Sequence, residues 1–365
     1  MNKDKVAIFV PSMRGGGAER AMLNLAIGLQ ERGLTVEIVL AKAQGPYLSQ
    51  IPPEVKVINL GAQRVLTSLK GLVGYLKKEQ PASLLSAMRH ANVIAILAGW
   101  FARVNTKIIV IVQNTVLASR SKQFRLKDRV GLFLAKLIYF RAQTVVAVSQ
   151  AVAAEIAKLG MAKLSQIKII PNPVITSELI AKGRDNPKHK WFIEKDIPVL
   201  LSVGRLTAQK DFGTLLRAFR RILEQRPARL IILGEGEERG SLEKLIKELN
   251  LEADVAMPGF VENPYAWMAK AKIFVLSSAW EGLPTVLIEA LALGVAVVAT
   301  DSPGGSREIL QGGRLGKLVP VGDWERLAAA IIATLDRPGK GIEAEELKIF
   351  TREAVVGEYF KLLKS

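Results

Sequence analysis

Residues 5–40 read KVAIFVPSMRGGGAERAMLNLAIGLQERGLTVEIVL, and the order of signals in that stretch decides the fold. Val6 to Val10 is a short, unbroken apolar run of the kind found in strands covered on both faces. Gly15 to Gly17 make a turn, and Ala18 to Arg32 follow with Leu23, Ala26 and Ile27 at helical spacing. Gly33 stops the helix, and Val36 to Leu40 is a second apolar strand. Strand, glycine turn, helix and strand together make a βαβ unit with parallel strands.

The alternation continues outward. Further strands are expected at Val55–Asn59, Ser83–Ser86, Ile108–Val112, Thr144–Val148 and Ile167–Ile170. Pro171 to Pro173 and the polar, basic run Ala181 to Lys190 then break the rhythm, as a domain boundary does. A second series has strands at Val199–Val203, Arg229–Leu233, Ile273–Leu276 and Val295–Ala299. Its helices are expected at Phe212–Glu224, Ser241–Leu249, Thr285–Leu293 and Trp324–Leu335. The charged, helix-compatible tail Glu343 to Leu363 is placed to cross back onto the first half. The expected class is α/β, with two doubly wound, Rossmann-like domains facing one another across a cleft. Residues 1–180 and the tail 350–365 form the first domain, and residues 181–349 the second.

Composition narrows the function. The chain has 365 residues, enough for two ordinary domains, and 49% hydrophobic with 23% charged residues is a globular balance. The 51 Lys and Arg against 34 Asp and Glu give +17, which favours a partner bearing phosphates. Zero cysteines exclude disulfides, thiolate metal sites and cysteine nucleophiles, and 2 histidines exclude a histidine-rich metal centre. The first apolar run is too short for a signal peptide, and Val93 to Trp100 is too short to span a bilayer. A cytoplasmic protein is the expectation.

Ligands of doubly wound sheets sit beyond the carboxyl ends of the strands, so the loops there carry the candidates. Gly204-Arg205-Leu206-Thr207-Ala208-Gln209-Lys210 follows one strand, with a guanidinium fork at Arg205 and a point charge at Lys210 that can reach one diphosphate. A solvated surface loop is the alternative. Gly234-Glu235-Gly236-Glu237 follows the next, and serves equally as a plain turn or a nucleotide contact. In Ser277-Ser278-Ala279-Trp280-Glu281-Gly282-Leu283-Pro284-Thr285-Val286-Leu287-Ile288-Glu289, Pro284 suits the first turn of a helix. The amides of Thr285 and Val286 would then face an anion, while Glu281 and Glu289 could accept from sugar or ribose hydroxyls. Asp301-Ser302-Pro303-Gly304-Gly305-Ser306-Arg307-Glu308 could bring main-chain amides at Gly304 and Gly305 to a phosphate or base, with Ser306 capping a short helix.

With these motifs in this order, the chain resembles the retaining glycosyltransferases of GT-B architecture in glycosyltransferase family 4 (GT4). The resemblance covers nearly the whole chain, and is tightest over Val203 to Ile309, where the pair Glu281 and Glu289 in EGLPTVLIE is its most specific element. It implies a donor site mainly in the second domain and an acceptor site mainly in the first. Arg205 and Lys210 would bind the diphosphate of a UDP-sugar, Glu281 the donor sugar and Glu289 the ribose, with help from the amides near Thr285 and Val286. In the first domain, Gly16 and Gly17 match the family loop near sugar and diphosphate. Glu19 shares that match, although a helix-start role is equally open to it. His90 in SAMRHAN corresponds to a histidine beside the donor sugar, with a helix-cap or surface role as the alternative. Asn172 corresponds to a residue of the domain junction that shapes the hinge. The implied reaction keeps the anomeric configuration, with the acceptor hydroxyl attacking on the face from which the diphosphate departs. Glu281, His90, Arg205 and Lys210 would be its catalytic residues.

The expectation is thus a hexosyltransferase, with glucose slightly favoured as the sugar, acting on a saccharide or lipid-linked saccharide in polysaccharide or glycolipid synthesis. A non-catalytic nucleotide-sugar or polysaccharide-binding protein and a UDP-sugar epimerase are the competing readings. No cofactor and no metal are expected, since Asp211 and Asp301 are isolated and form no Asp-x-Asp pair. No nucleic-acid reading motif accompanies the basic residues. Ser119 to Ala142, SRSKQFRLKDRVGLFLAKLIYFRA, combines seven basic residues with apolar ones at broadly helical spacing. It is expected to attach the first domain to an anionic membrane, peripherally and on the inner face of the plasma membrane. Packing of the same apolar stripe into the domain is the alternative.

Overall fold

A computed structural model describes residues 2–115, 136–193, 197–337 and 342–364. The chain divides into two compact units, Met1–Val174 with Ile349–Ser365, and Ile175–Lys348. The division falls before the expected residue 180 because the Ser177–Gly183 helix packs with the second unit. Asn263 Nδ2 donates to Lys182 O at 3.1 Å, and a Cβ on Gly183 would lie 2.4 Å from Leu293 Cδ2.

The first unit is a seven-stranded, wholly parallel sheet in the order β3-β2-β1-β4-β5-β6-β7. Its strands are β1 Asn2–Val10, β2 Thr35–Leu40, β3 Lys56–Asn59, β4 Pro81–Ala87, β5 Lys107–Val112, β6 Thr144–Ala147 and β7 Ile167–Ile169. Ile8 pairs with Ile38 on one side and Leu85 on the other. Such central positions are fully buried, which explains their continuous apolar character. The tail does not form one helix. A short 3-10 segment, Ala344–Phe350, precedes the helix Arg352–Lys364. That helix lies on Gly17–Glu31, where Arg352 pairs with Glu31 at 2.9 Å. Gly28 permits the approach, since a Cβ there would meet Val356 Cγ2 at 2.5 Å.

The second unit is a six-stranded parallel sheet, in the order β10-β9-β8-β11-β12-β13. The strands are β8 Val199–Val203, β9 Arg229–Leu233, β10 Val255–Gly259, β11 Ile273–Leu276, β12 Ala296–Thr300 and β13 Lys317–Val319. The helix Phe212–Leu223 turns Phe212, Leu215, Leu216, Phe219 and Ile222 into the core and leaves Arg217, Arg220 and Arg221 outside. Both units are doubly wound, with the order reversing between β1 and β4 and between β8 and β11.

Candidate active site

At each reversal the connecting loops diverge to opposite faces and leave a crevice beyond the strand ends. In the second unit the β8 loop carries Arg205 and Lys210, and the β11 loop carries Glu281. The fold joins them: Lys210 Nζ donates to Glu281 Oε1 at 2.6 Å. Ser278 Oγ donates to the same oxygen at 2.7 Å, and Gln209 Nε2 to Oε2 at 3.3 Å. Glu281 is 6% exposed, so its charge is held by a cation and two neutral donors in a poorly solvated place. Backbone bonds fix the same geometry, with Ala279 N–H donating to Gln209 O at 2.8 Å and Glu281 N–H to Pro303 O at 2.9 Å. Arg205 differs from Lys210. It is exposed and has no ion pair among the described residues.

The helix Thr285–Ala292 starts directly after this loop, with Pro284 as its N-cap and not in its first turn. Leu287 N–H returns to Pro284 O, whereas the amides of Thr285 and Val286 bond to no described residue. They form the positive end of the helix dipole, as the sequence predicts. Glu289 lies one turn inside the helix and is buried.

The glycine motifs act between loops. Gly234, at φ +137°, would put a Cβ 1.9 Å from Gly204 O, and Gly236 would put one 2.2 Å from Leu206 O. Gly304, at φ +131°, would place one 2.1 Å from Glu281 O. Gly305 gives its N–H to Gly282 O at 2.8 Å, so that amide braces the Glu281 loop instead of facing outward. Ser306 is not a cap either: Gly305 holds that position, and the buried Ser306 hydroxyl lies 3.3 Å from Ser302 Oγ. Asp211 is a side-chain N-cap, accepting from Thr214 N–H and Thr214 Oγ1, and burial pushes its carboxyl pKa up. Asp301 is paired with Arg307. Among the described residues no three His, Asp or Glu side chains are arranged to hold a metal ion.

In the first unit, Gly16 caps the helix Gly17–Glu31 at the end of the loop that leaves β1, after Gly15 at φ +102°. Gly45, at φ +116°, packs so closely under this loop that a Cβ would lie 2.0 Å from Met13 O. Glu19 is buried in the first helical turn. Across the reversal, β4 is followed by Met88 at φ +78°, an uncommon conformation for a residue with a side chain. It launches the helix Arg89–Ala102 with His90 exposed in the first turn. Asn172 and Gln113 exchange amide hydrogen bonds of 3.1 and 2.8 Å, tying the segment after β7 to the end of β5.

Comparison with known proteins places this arrangement. The family described as "Glycosyl transferases group 1" matches residues 183–353, and "Glycosyltransferase Family 4" matches residues 15–178. A Campylobacter jejuni N-acetylgalactosamine-N,N'-diacetylbacillosaminyl-diphospho-undecaprenol 4-alpha-N-acetylgalactosaminyltransferase is 31% identical over 87% of this chain and 86% of its own. The chain belongs to glycosyltransferase family 4. The lipopolysaccharide core biosynthesis glycosyltransferase LpsE of Rhizobium meliloti is 28% identical to this glycosyltransferase over 96% of this chain and 97% of its own. An uncharacterized glycosyltransferase of Methanocaldococcus jannaschii is 36% identical, but the match spans 56% of this chain and about half, 51%, of that relative. HepE from Anabaena, solved in complex with UDP-glucose, superposes with a TM-score of 0.82 at 21% identity over 99% of both chains. The GT-B fold of this glycosyltransferase follows from such likenesses and from its two parallel sheets.

The sequence motifs point to Arg205, Lys210, Glu281 and Glu289 but not to Gln209 and Ser278 as partners of Glu281, although both stand inside the same motifs. Their role depends on which lone pair of Glu281 they reach, and no local pattern encodes that.

Proposed function

We propose that this glycosyltransferase moves a hexose, with glucose slightly favoured, from a UDP-sugar to a saccharide or lipid-linked saccharide acceptor with retention of configuration. The observation that carries the reading is the buried Lys210–Glu281 pair at the β8/β11 reversal, beside an exposed Arg205. In the reaction the bond from the anomeric carbon to the diphosphate breaks, and the acceptor oxygen bonds to that carbon on the same face. The acceptor proton passes to the departing diphosphate. Negative charge grows on the leaving group, where Arg205, Lys210 and the amides of Thr285 and Val286 lower the barrier. Glu281 already accepts from Lys210, Ser278 and Gln209. That supports a role in holding the sugar and setting the lysine, not in attacking carbon. Glu289 binds the ribose, and Gly304 and Gly305 serve the donor indirectly, through the Glu281 loop that they brace. In the first unit, Gly16, Gly17 and His90 are the residues that the family resemblance assigns to the donor.

The acceptor class is supported by the relative whose name contains diphospho-undecaprenol and by the lipopolysaccharide core enzyme. UDP as the nucleotide is supported by the UDP-glucose complex of HepE. Metal independence is part of the proposal, because Asp211 and Asp301 are committed to Thr214 and Arg307. Transfer should therefore persist in EDTA.

The test is a panel of UDP-sugars with and without acceptor, the products being read by mass and anomeric NMR. Product with retained anomeric configuration is expected, and an epimerised donor formed without acceptor would sink the reading. Glu289→Gln should weaken UDP binding about tenfold in calorimetry, since a charged acceptor is lost to the ribose. Glu281→Gln should chiefly lower kcat. Unchanged UDP affinity in Glu289→Gln would remove that residue from the ribose.

A further inference from the structure

We propose that the first unit docks on an anionic lipid bilayer through an aromatic and basic patch centred on Trp100, Phe101 and Phe140, a proposal that builds on the lipid-linked acceptor reading above. The expected membrane segment Ser119–Ala142 lies outside the described residues except for its last part, 136–142, so the patch rests on Phe140 and Arg141 of that last part together with Trp100 and Phe101 from outside the segment.

The helix Arg89–Ala102 buries most of its length, but its last turn does not follow suit. Trp100 is 59% and Phe101 50% exposed, with ring centroids 4.8 Å apart. Phe140 is 50% exposed, and the Arg141 guanidinium lies 4.9 Å from its ring and 5.7 Å from that of Trp100. One arginine therefore joins two chain segments into one surface. A cavity of about 370 Å³ opens beside the aromatic pair, with Lys77 and Arg103 on its wall. Lys77, Arg103 and Arg141 border the rings, and among the described residues no Asp or Glu lines the cavity.

Scattered exposed apolar residues need no explanation, but adjoining Trp and Phe rings rimmed by cations do. Indole and phenyl rings settle at the headgroup level, while Lys and Arg beside them attract anionic headgroups. A second copy of the chain fits this face poorly, because it would bring like charges together with no carboxylate among these residues to separate them. In the chain as described, no helix is long and apolar enough to cross a membrane. The docking is accordingly peripheral and weakened by salt.

The experiment is co-sedimentation of the full chain with phosphatidylglycerol/phosphatidylcholine vesicles and with phosphatidylcholine alone, alongside the Trp100→Ser, Phe101→Ser double variant. The parent should pellet with the anionic vesicles at low salt and stay in solution with the neutral ones. The double variant should lose at least about tenfold in partitioning, as expected when two interfacial rings are removed. Lipids brominated near the headgroup should quench parent tryptophan fluorescence more than that of the variant. A parent that stays in the supernatant, or a variant that pellets like the parent, overturns the proposal. So does a loss of vesicle binding explained by a parent dimer that the variant breaks, read by sedimentation velocity. The variant should also transfer normally to a water-soluble, short-chain acceptor, and equal loss there would make the patch part of the enzyme and overturn docking. Vesicle binding by a parent that glycosylates only soluble acceptors would uphold docking and refute the lipid-linked acceptor, so the two readings fail separately.

Discussion

Arg205 and Lys210 leave the same loop with the same charge, yet the fold gives them different work. Lys210 neutralises a carboxylate that is 7% exposed, whereas Arg205 neutralises nothing among the described residues. Arg205→Ala should therefore cut kcat/KM by about 100-fold while leaving the urea midpoint unchanged, since only transition-state charge loses its partner. Lys210→Ala should show a similar kinetic loss together with about 3 kcal/mol of destabilisation, because the Glu281 charge stays behind without its cation. The double change Lys210→Met, Glu281→Gln should recover most of that stability and none of the activity. Equilibrium urea unfolding beside steady-state kinetics separates these outcomes. A Lys210→Ala protein as stable as the parent would mean that Ser278, Gln209 and water suffice for Glu281.

At the scale of elements, what holds the site is loop against loop. The turn after β9 presses on the loop after β8 through Gly234, and the segment after β12 presses on the Glu281 loop through Gly304. In both, backbone comes so near that no side chain fits, and φ is in the range that favours glycine. Gly294 offers a control: its φ of +74° closes the Thr285–Ala292 helix region, but nothing lies within 4 Å of its missing Cβ. Gly294→Ala should cost only the conformational strain, about 1 kcal/mol. Gly234→Ala must also move the Gly204 carbonyl, so it should lose several-fold more stability and, with it, donor binding. Thermal unfolding of the pair is the measurement. Equal Tm values would show that the loops yield easily, and the site would then owe its geometry to the Lys210–Glu281 pair and the hydrogen bonds around it.

Over the whole molecule, the chain begins the first unit, builds the second and returns. The returning segment is bound to the first unit by Val174 N–H to Phe350 O at 3.0 Å, by Arg352–Glu31 and by the Gly28 contact with Val356. Val355, Val356 and Tyr359 are each 1% exposed, so removing Ile349–Ser365 uncovers apolar surface on the helix Gly17–Glu31. That helix begins at Gly17, next to the Gly16 cap. Deletion from Ile349 should lower the thermal stability of the first unit by several degrees or more and expose it to protease, while the second unit, which holds β8 to β13, should keep the UDP affinity proposed for it. Gly28→Leu should reproduce the stability loss without shortening the chain. If the deletion weakened UDP binding as much as stability, assigning the nucleotide to the second unit would be wrong.

Local pieces of the fold were legible in the residues alone. β8, β9 and β11 have the bounds expected from their sequence, because a strand covered on both faces is largely apolar and its exit is marked by a polar or glycine residue, with Ser202 in β8 and Arg229 at the start of β9 as the polar exceptions. β10 and β13 escaped that reading, for both are edge strands with partly exposed side chains, and β10 even contains Pro258. The strand exits expected to carry the donor site were legible for the same local reason, including the helix start after Pro284. What tertiary structure alone decided is which loops meet. Lys210 and Glu281 are 71 positions apart, and they touch because β8 and β11 became neighbours at a reversal that no short window records. The run Val93 to Trp100 carries the same lesson with the opposite result. Its apolar letters are uniform, yet Ile94 and Ile96 are buried while Trp100 is left bare, since burial depends on what the rest of the chain packs against a helix face and not on the face's own composition.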